Sequence, residues 1–346
     1  MDVAYEDRKL HDDGIFDGLM GYKEWIHYQG TFFVNGKPLA LVMGFPRSYT
    51  GMGAFGWISF DGNQYSLAGN KDTDKNGFFD LQRIPVHFSP SEPGYILQYT
   101  AEPEPHKVYD GTMRGAFPDY AIEVKTPDLD ITIELSINSS ESIYQKEVFQ
   151  WMPFKKRVAS WFHSGDVAAS LKGTIAGRPV TTDINKNRGW YERMWSKVVV
   201  LWPSEWLWFM AHLDNGAVFD LYTAKSAGMR MHPLDECWLY DTEVFHEFSH
   251  YEAEFPEDLK GAIQKRDYSE IVGKCIVCRG KNGGNSFDIT ATVTDFRQYE
   301  FRDYTADIKY TNFIFETDGK ALIDGNAIDM KGRGAAERAP IKYWWL

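Results

Sequence analysis

A glutamate set among indole rings is the first place in this sequence where chemistry can be read. Residues 188–198 run RGWYERMWSKV, so Glu192 is flanked by Trp190, Tyr191 and Trp195. On a β-strand, alternation sends residues 190, 192 and 194 to one face. A carboxyl among aromatic rings loses hydration, so its pKa rises and it keeps its proton near neutrality. Such an acid can protonate an alkene or polarise a carbonyl, and the rings can stabilise the cationic charge that develops. The competing reading is a structural ion pair with Arg188 or Arg193.

A second group lies in EWIHYQG (24–30). There Trp25 and His27 would share one strand face, with Glu24 and Tyr28 on the other. His27 can act as acid or base near pH 7, or be a satisfied structural group. A third segment, SEWLWFMAHLDNG (204–216), puts Trp206, Trp208 and His212 on one face, suited to lining an apolar pocket.

Metal-like patterns need weighing against plainer readings. In DTDKNGFFD, residues Asp72, Asp74, Asn76 and Asp80 stand at positions 1, 3, 5 and 9 of a calcium loop, with Gly77 at the turn. Position 12 is Arg83 instead of the bidentate Glu, so the expectation is a structural calcium or a polar inter-strand turn. HEFSH (246–250) matches a zinc-protease helix motif, but its flanks alternate as a strand does. On a strand the two histidines lie about 13 Å apart, too far to share a metal. Cys275 and Cys278 of CIVC read as reduced thiols. GMGAFG (51–56) lacks the strand–turn–helix setting of a phosphate loop, and no nucleophile elbow appears.

The elements that must position these groups are strands. Asn35-Gly36, Asp61-Gly62, Asn215-Gly216, Asp318-Gly319 and Asp324-Gly325 separate apolar runs, which predicts hairpin turns. DITIELS (130–136) alternates plainly. Helical spacing is confined to PEDLKGAIQKR (256–266), with a turn or two expected in the first twenty residues. Segments 24–45 and 205–224 echo each other: Glu-Trp, an aromatic strand, Asn-Gly, a second strand. The reading is all-β with few short helices, as two barrel or sandwich domains packed together, 1–200 and 201–346.

Composition narrows the class further. The 346 residues include 12 Trp, 19 Tyr and 23 Phe, fitting strands that pack flat rings. A net charge of −12 argues against a nucleic acid partner. No run approaches a membrane span, although a transient membrane contact to fetch a ligand stays open. The three cysteines, Cys237, Cys275 and Cys278, set no disulfide framework, so a cytoplasmic address is the default. The oligomeric state is left open.

Three of these segments carry a family resemblance. RGWYERMWSKV, SEWLWFMAHLDNGAVFDLY and EWIHYQG, the last followed by Phe-Pro-Arg at 45–47, resemble in order the signatures of the carotenoid 1,2-hydratase-like (hydroxyneurosporene synthase-like) lipocalin family. Glu192 stands where that family has Asp, Met194 replaces a polar residue and Ser196 replaces Gly. The resemblance implies two lipocalin-like (calycin) β domains enclosing an apolar ligand. Its members include hydratases of isoprenoid or flavonoid double bonds and fungal cyclases that fold polyenes. The expectation is a hydratase, isomerase or cyclase that requires no cofactor and acts on a polyene or terpenoid. Glu192 and His27 would be catalytic, with Trp25, Tyr28, Trp190, Tyr191, Trp195, Trp206, Trp208 and His212 around the substrate. The alternative is a non-catalytic carrier of an apolar ligand.

Overall fold

The computed structural model describes residues 1–11, 22–48, 51–68, 84–92, 94–149, 157–182, 187–197, 205–226, 229–230, 234–256, 270–302 and 306–343. The calcium-like residues Asp72, Asp74, Asn76 and Asp80 lie outside them, as does the helix candidate beyond Pro256.

The alternation at 130–136 becomes strand Leu129–Ile137, whose odd-numbered residues are buried. Asn35-Gly36, Asp61-Gly62 and Asp324-Gly325 take positive φ in pairs, as two-residue hairpins require. Asp318-Gly319 differs. It sits inside the continuous strand Ala306–Ile323, where Gly319 faces Ile289 and a Cβ would lie 2.1 Å from the Asp288 carbonyl oxygen. That glycine serves close backbone approach and no turn.

The described strands pair antiparallel in two sheets. Fourteen strands between Tyr22 and Lys197 form the first, and eleven between Glu205 and Tyr343 form the second. The fold is therefore all-β, with two lipocalin-like half-barrels. Among the described residues, helix is limited to Val3–Asp7 and a single turn at Ser140–Ser142. No helix among the described residues is long and apolar enough to cross a membrane.

Each half has its own interior. Ile26, Phe45, Ile122 and Phe162 pack in the first; Phe209, Phe219, Ile289 and Phe315 pack in the second. A separate aromatic layer joins the halves. Trp190 of the first sheet stacks on Trp238 and meets Trp208 edge-on, both from the second. With roughly 200 Å² per buried ring and about 25 cal/mol per Å², three indoles supply ~15 kcal/mol of gross burial. This is enough to offset several buried polar groups. Packing is close at Gly165. A Cβ on Gly165 would fall 2.4 Å from Val218 and 2.6 Å from Trp190. Gly165→Ala is expected to cost about 1–3 kcal/mol by wedging the layer apart; a urea midpoint unchanged from wild type would contradict that.

The first half is plugged from within. Tyr191 and Tyr120 donate to the buried Asp7 carboxyl, and Arg193 donates to the Lys9 carbonyl at 2.5 Å. Arg193 also pairs with Glu24 at 2.8 Å, and His11 bridges Glu24 and Glu6. Burial alone would raise the Glu24 carboxyl, but Arg193, His11 and Arg47 together hold it below its usual range.

Candidate functional site

Strand register explains how the site forms. His27, Glu192 and His163 are cross-strand neighbours on Tyr22–Val34, Arg188–Lys197 and Arg157–Ile175. They make one row on the face of the first sheet that looks toward the second. Across from them, Asn312, Glu337, Trp208, Tyr222 and Glu236 form a second row by the same pairing rule. Period-two alternation therefore delivers two rows from eight strand positions into one layer.

The rows touch at both ends. His27 Nε2 lies 3.2 Å from Glu337 Oε1, and its Nδ1 lies 3.8 Å from Glu192 Oε2. His163 Nε2 lies 3.3 Å from Glu236 Oε1. Trp208 sits between, its ring 5.4 Å from His27 and 6.0 Å from His163. Tyr310 donates its hydroxyl to Glu337 and receives a bond from Asn312. His212 holds the sheets together differently, with Nε2 donating to the carbonyls of Gly165 and Gly189 at 3.1 and 3.0 Å.

Burial sets the electrostatics. It pushes the Glu192 carboxyl well above its usual range, helped by the nearby Glu337 and Glu236 charges. Glu337 rises to about 8, mainly by burial, against the bonds from Tyr310 and Asn312. Burial likewise lowers His27 to about 3, keeping it neutral. Glu192 is 7% exposed, and its Oε2 has no hydrogen-bond donor among the described residues. A protonated carboxyl, a neutral imidazole and a second carboxyl within aromatic walls can give, relay and accept a proton.

The Glu337 shift has a consequence for stability. Its folded pKa exceeds the ordinary 4.5, so between about 4.5 and 8 the native state binds more proton than the unfolded chain. That contribution is complete below pH 4.5 and lost as pH rises through 8. His27 acts oppositely, favouring the fold above 6.5 and losing that as pH falls toward 3. Between pH 6.5 and 8.5 Glu337→Gln should therefore gain in thermal midpoint relative to wild type as pH increases. A constant difference across that window would exclude the assignment.

The structure brings Trp25, His27, Trp190, Glu192, Trp206, Trp208 and His212 to the layer between the sheets. It does not bring Tyr28, Tyr191 and Trp195 there. Their strand positions have the opposite parity, and they pack inside the first half, with Trp195 stacked on His11 at 3.8 Å. Arg193 shares that inward face, so it pairs with Glu24 and not with Glu192. The sequence reading missed His163, Asp220, Glu236, Tyr310 and Glu337. The available signal was a charged residue inside an apolar strand, as in VFDLY, ECWLY and GAAER.

The other patterns fall elsewhere. HEFSH is split between strands Phe245–Glu247 and His250–Glu254, and His246 bonds Asp241 at 2.6 Å. Without a helix there, the zinc-protease arrangement does not form. Cys275 and Cys278 are three apart on strand Cys275–Asn282, so they face opposite sides, and burial raises the Cys278 thiol. A concavity of about 430 Å³ lies over the first sheet, lined by Arg114, Asp119, Glu134 and Ser136 among others. None of its lining residues belongs to the two polar rows.

No family model matches the sequence, and no curated protein does. The fold has solved counterparts. The crystal structure of CghA aligns over 98% of this chain and 95% of that one, with a TM-score of 0.57 and 10% identity. The structure of CghA with Sch210972 covers 98% and 96%, with a TM-score of 0.56 and 10% identity. Kievitone hydratase from Nectria haematococca aligns over 93% and 89%, with a TM-score of 0.44 and 11% identity. The similarity to CghA extends over both halves and is one of fold.

Proposed function

We propose that the protein is an enzyme acting on a double bond of an apolar small molecule, of polyene or terpenoid type, held between its two sheets. Glu192 is the proton donor. The observation that carries this reading is a buried carboxyl, raised in pKa, whose Oε2 has no donor among the described residues and lies 3.8 Å from His27. The CghA fold, solved with Sch210972, supports a ligand-holding role for this architecture.

In the reaction, Glu192 gives its proton to one alkene carbon and becomes a carboxylate. The cationic charge on the other carbon is stabilised by that carboxylate and by the indole faces of Trp190 and Trp208. Water then adds and returns a proton to Glu192, which completes a hydration. Loss of a proton from the adjacent carbon to the carboxylate gives an isomer instead. His27, neutral and 3.2 Å from Glu337, can pass a proton between the two acids. For a cyclisation, holding the reactive ends together supplies much of the barrier reduction without a covalent step.

The test is native mass spectrometry of gently purified protein, followed by extraction of the bound molecule from wild type and Glu192→Gln. A terpenoid or polyene altered by wild type and intact on the variant supports the reading. The same unaltered ligand on both proteins makes the chain a carrier.

A further inference from the structure

His163, Asp220 and Glu236 are buried groups that the proposed proton transfer does not use. Each offers one ligand atom, and the three atoms lie within 4.8 Å of one another. The Nε2–Oε1 separation of 3.3 Å between His163 and Glu236 is close to the edge of a tetrahedron. With metal–ligand bonds of about 2.0–2.1 Å that edge is roughly 3.3 Å.

The cluster is short of partners. Neither ring nitrogen of His163 has a hydrogen bond among the described residues, and neither does Asp220 Oδ1. Yet these residues are 1% and 0% exposed, where an unmet polar atom needs an explanation. The second oxygen of each carboxylate is already fixed. Trp161 Nε1 donates to Glu236 Oε2 at 2.8 Å, and Trp208 Nε1 donates to Asp220 Oδ2 at 2.6 Å. Donors on the outer oxygens, with one oxygen left on each carboxylate, are the outer-shell pattern of a metal site. The rings of Trp190 and Trp238, 5.1 and 5.4 Å from His163, complete a dry wall.

Charge points the same way. Two carboxylates this close and this buried need either a shared proton or a cation. Lys146 is near enough for its charge to act on both His163 and Glu236, but its ammonium is bound to the Asp235 carbonyl. The geometry points to a site for one divalent transition-metal ion, zinc by ligand chemistry, held by His163 Nε2, Glu236 Oε1 and Asp220 Oδ1. An imidazole with two carboxylates suits zinc better than calcium or magnesium, which take oxygen shells. His163 belongs to the first sheet and the two acids to the second, so the ion cross-links the halves. This holds whatever Glu192 does.

The experiment uses the full chain, free of any histidine tag, stripped with chelator and titrated with Zn²⁺ alone. Bound metal is counted after gel filtration, and Co²⁺ is added in parallel to read its visible bands. The expected result is one equivalent of zinc, a tetrahedral cobalt spectrum and a thermal midpoint several degrees higher with metal. Glu236→Gln and Asp220→Asn keep the size of each side chain and should each weaken zinc at least about 100-fold. His246→Ala, which alters HEFSH, should leave binding intact. Wild type that retains no zinc and shows no midpoint shift would overturn the site, whether or not the variants fold. So would zinc binding unchanged in Glu236→Gln, or lost in His246→Ala. A carboxyl pair that only shares a proton predicts this first overturning result.

Discussion

Glu192→Gln is expected to lower turnover of the bound molecule by about 10²–10⁴-fold, the usual worth of a positioned general acid, with ligand retention unchanged. Gln keeps the volume and a donor but cannot give up a proton. Glu192→Asp should recover part of the loss, because its carboxyl remains acidic and falls short by a methylene. Single-turnover measurement on the extracted ligand separates the chemical step from release. Equal rates for wild type and Glu192→Gln would remove the acid from the mechanism, leaving ligand positioning by Trp190 and Trp208 as the source of any activity.

Arg193→Ala is the change with the largest expected effect on stability, about 3–5 kcal/mol. Arg193 is fully buried, pairs with Glu24 at 2.8 Å and caps the Lys9 carbonyl. Burial works against its charge, but Glu24, Tyr191, Tyr95 and Asp7 outweigh it and hold the guanidinium charged. Its removal takes the buried cation away from two buried acids, leaving Glu24 with His11 and Arg47 and Asp7 with its two tyrosines. Combining Arg193→Ala with Glu24→Gln should return part of the lost stability, since the orphaned charge goes with its partner. Urea unfolding of the single and double variants measures this. Strictly additive losses would mean that the pair is not the source.

Some of the site could be read from sequence and some could not, for one physical reason. Strand alternation is local, so RGWYERMW and EWIHYQG placed Glu192 and His27 correctly relative to their neighbours. The same alternation implied that Tyr191 and Trp195 lie opposite Glu192. Their aromatic character masked this, because a ring suits a ligand wall and a core equally well. What lies across the layer is not local. Glu337 meets His27 from a strand more than three hundred residues on, and no spacing rule joins GAAER to EWIHYQG. His163 was passed over because WFHSG carries no motif, and it matters only through strands it does not pair with. HEFSH shows the converse, a motif with correct spacing and the wrong backbone.

The plug of the first half also bears on how the protein is made. Asp7 is bound by Tyr191, 184 residues further along, and Lys9 by Arg193 at the same separation. At roughly 5–20 residues per second, synthesis leaves this segment without its partners for about ten to forty seconds. Strand Tyr22–Val34 waits equally long for Arg188–Lys197, one of its two neighbours in the sheet. A nascent chain halted before residue 188 would thus expose the groups that Asp7, Lys9 and His11 cover, making it a natural client for a ribosome-associated chaperone.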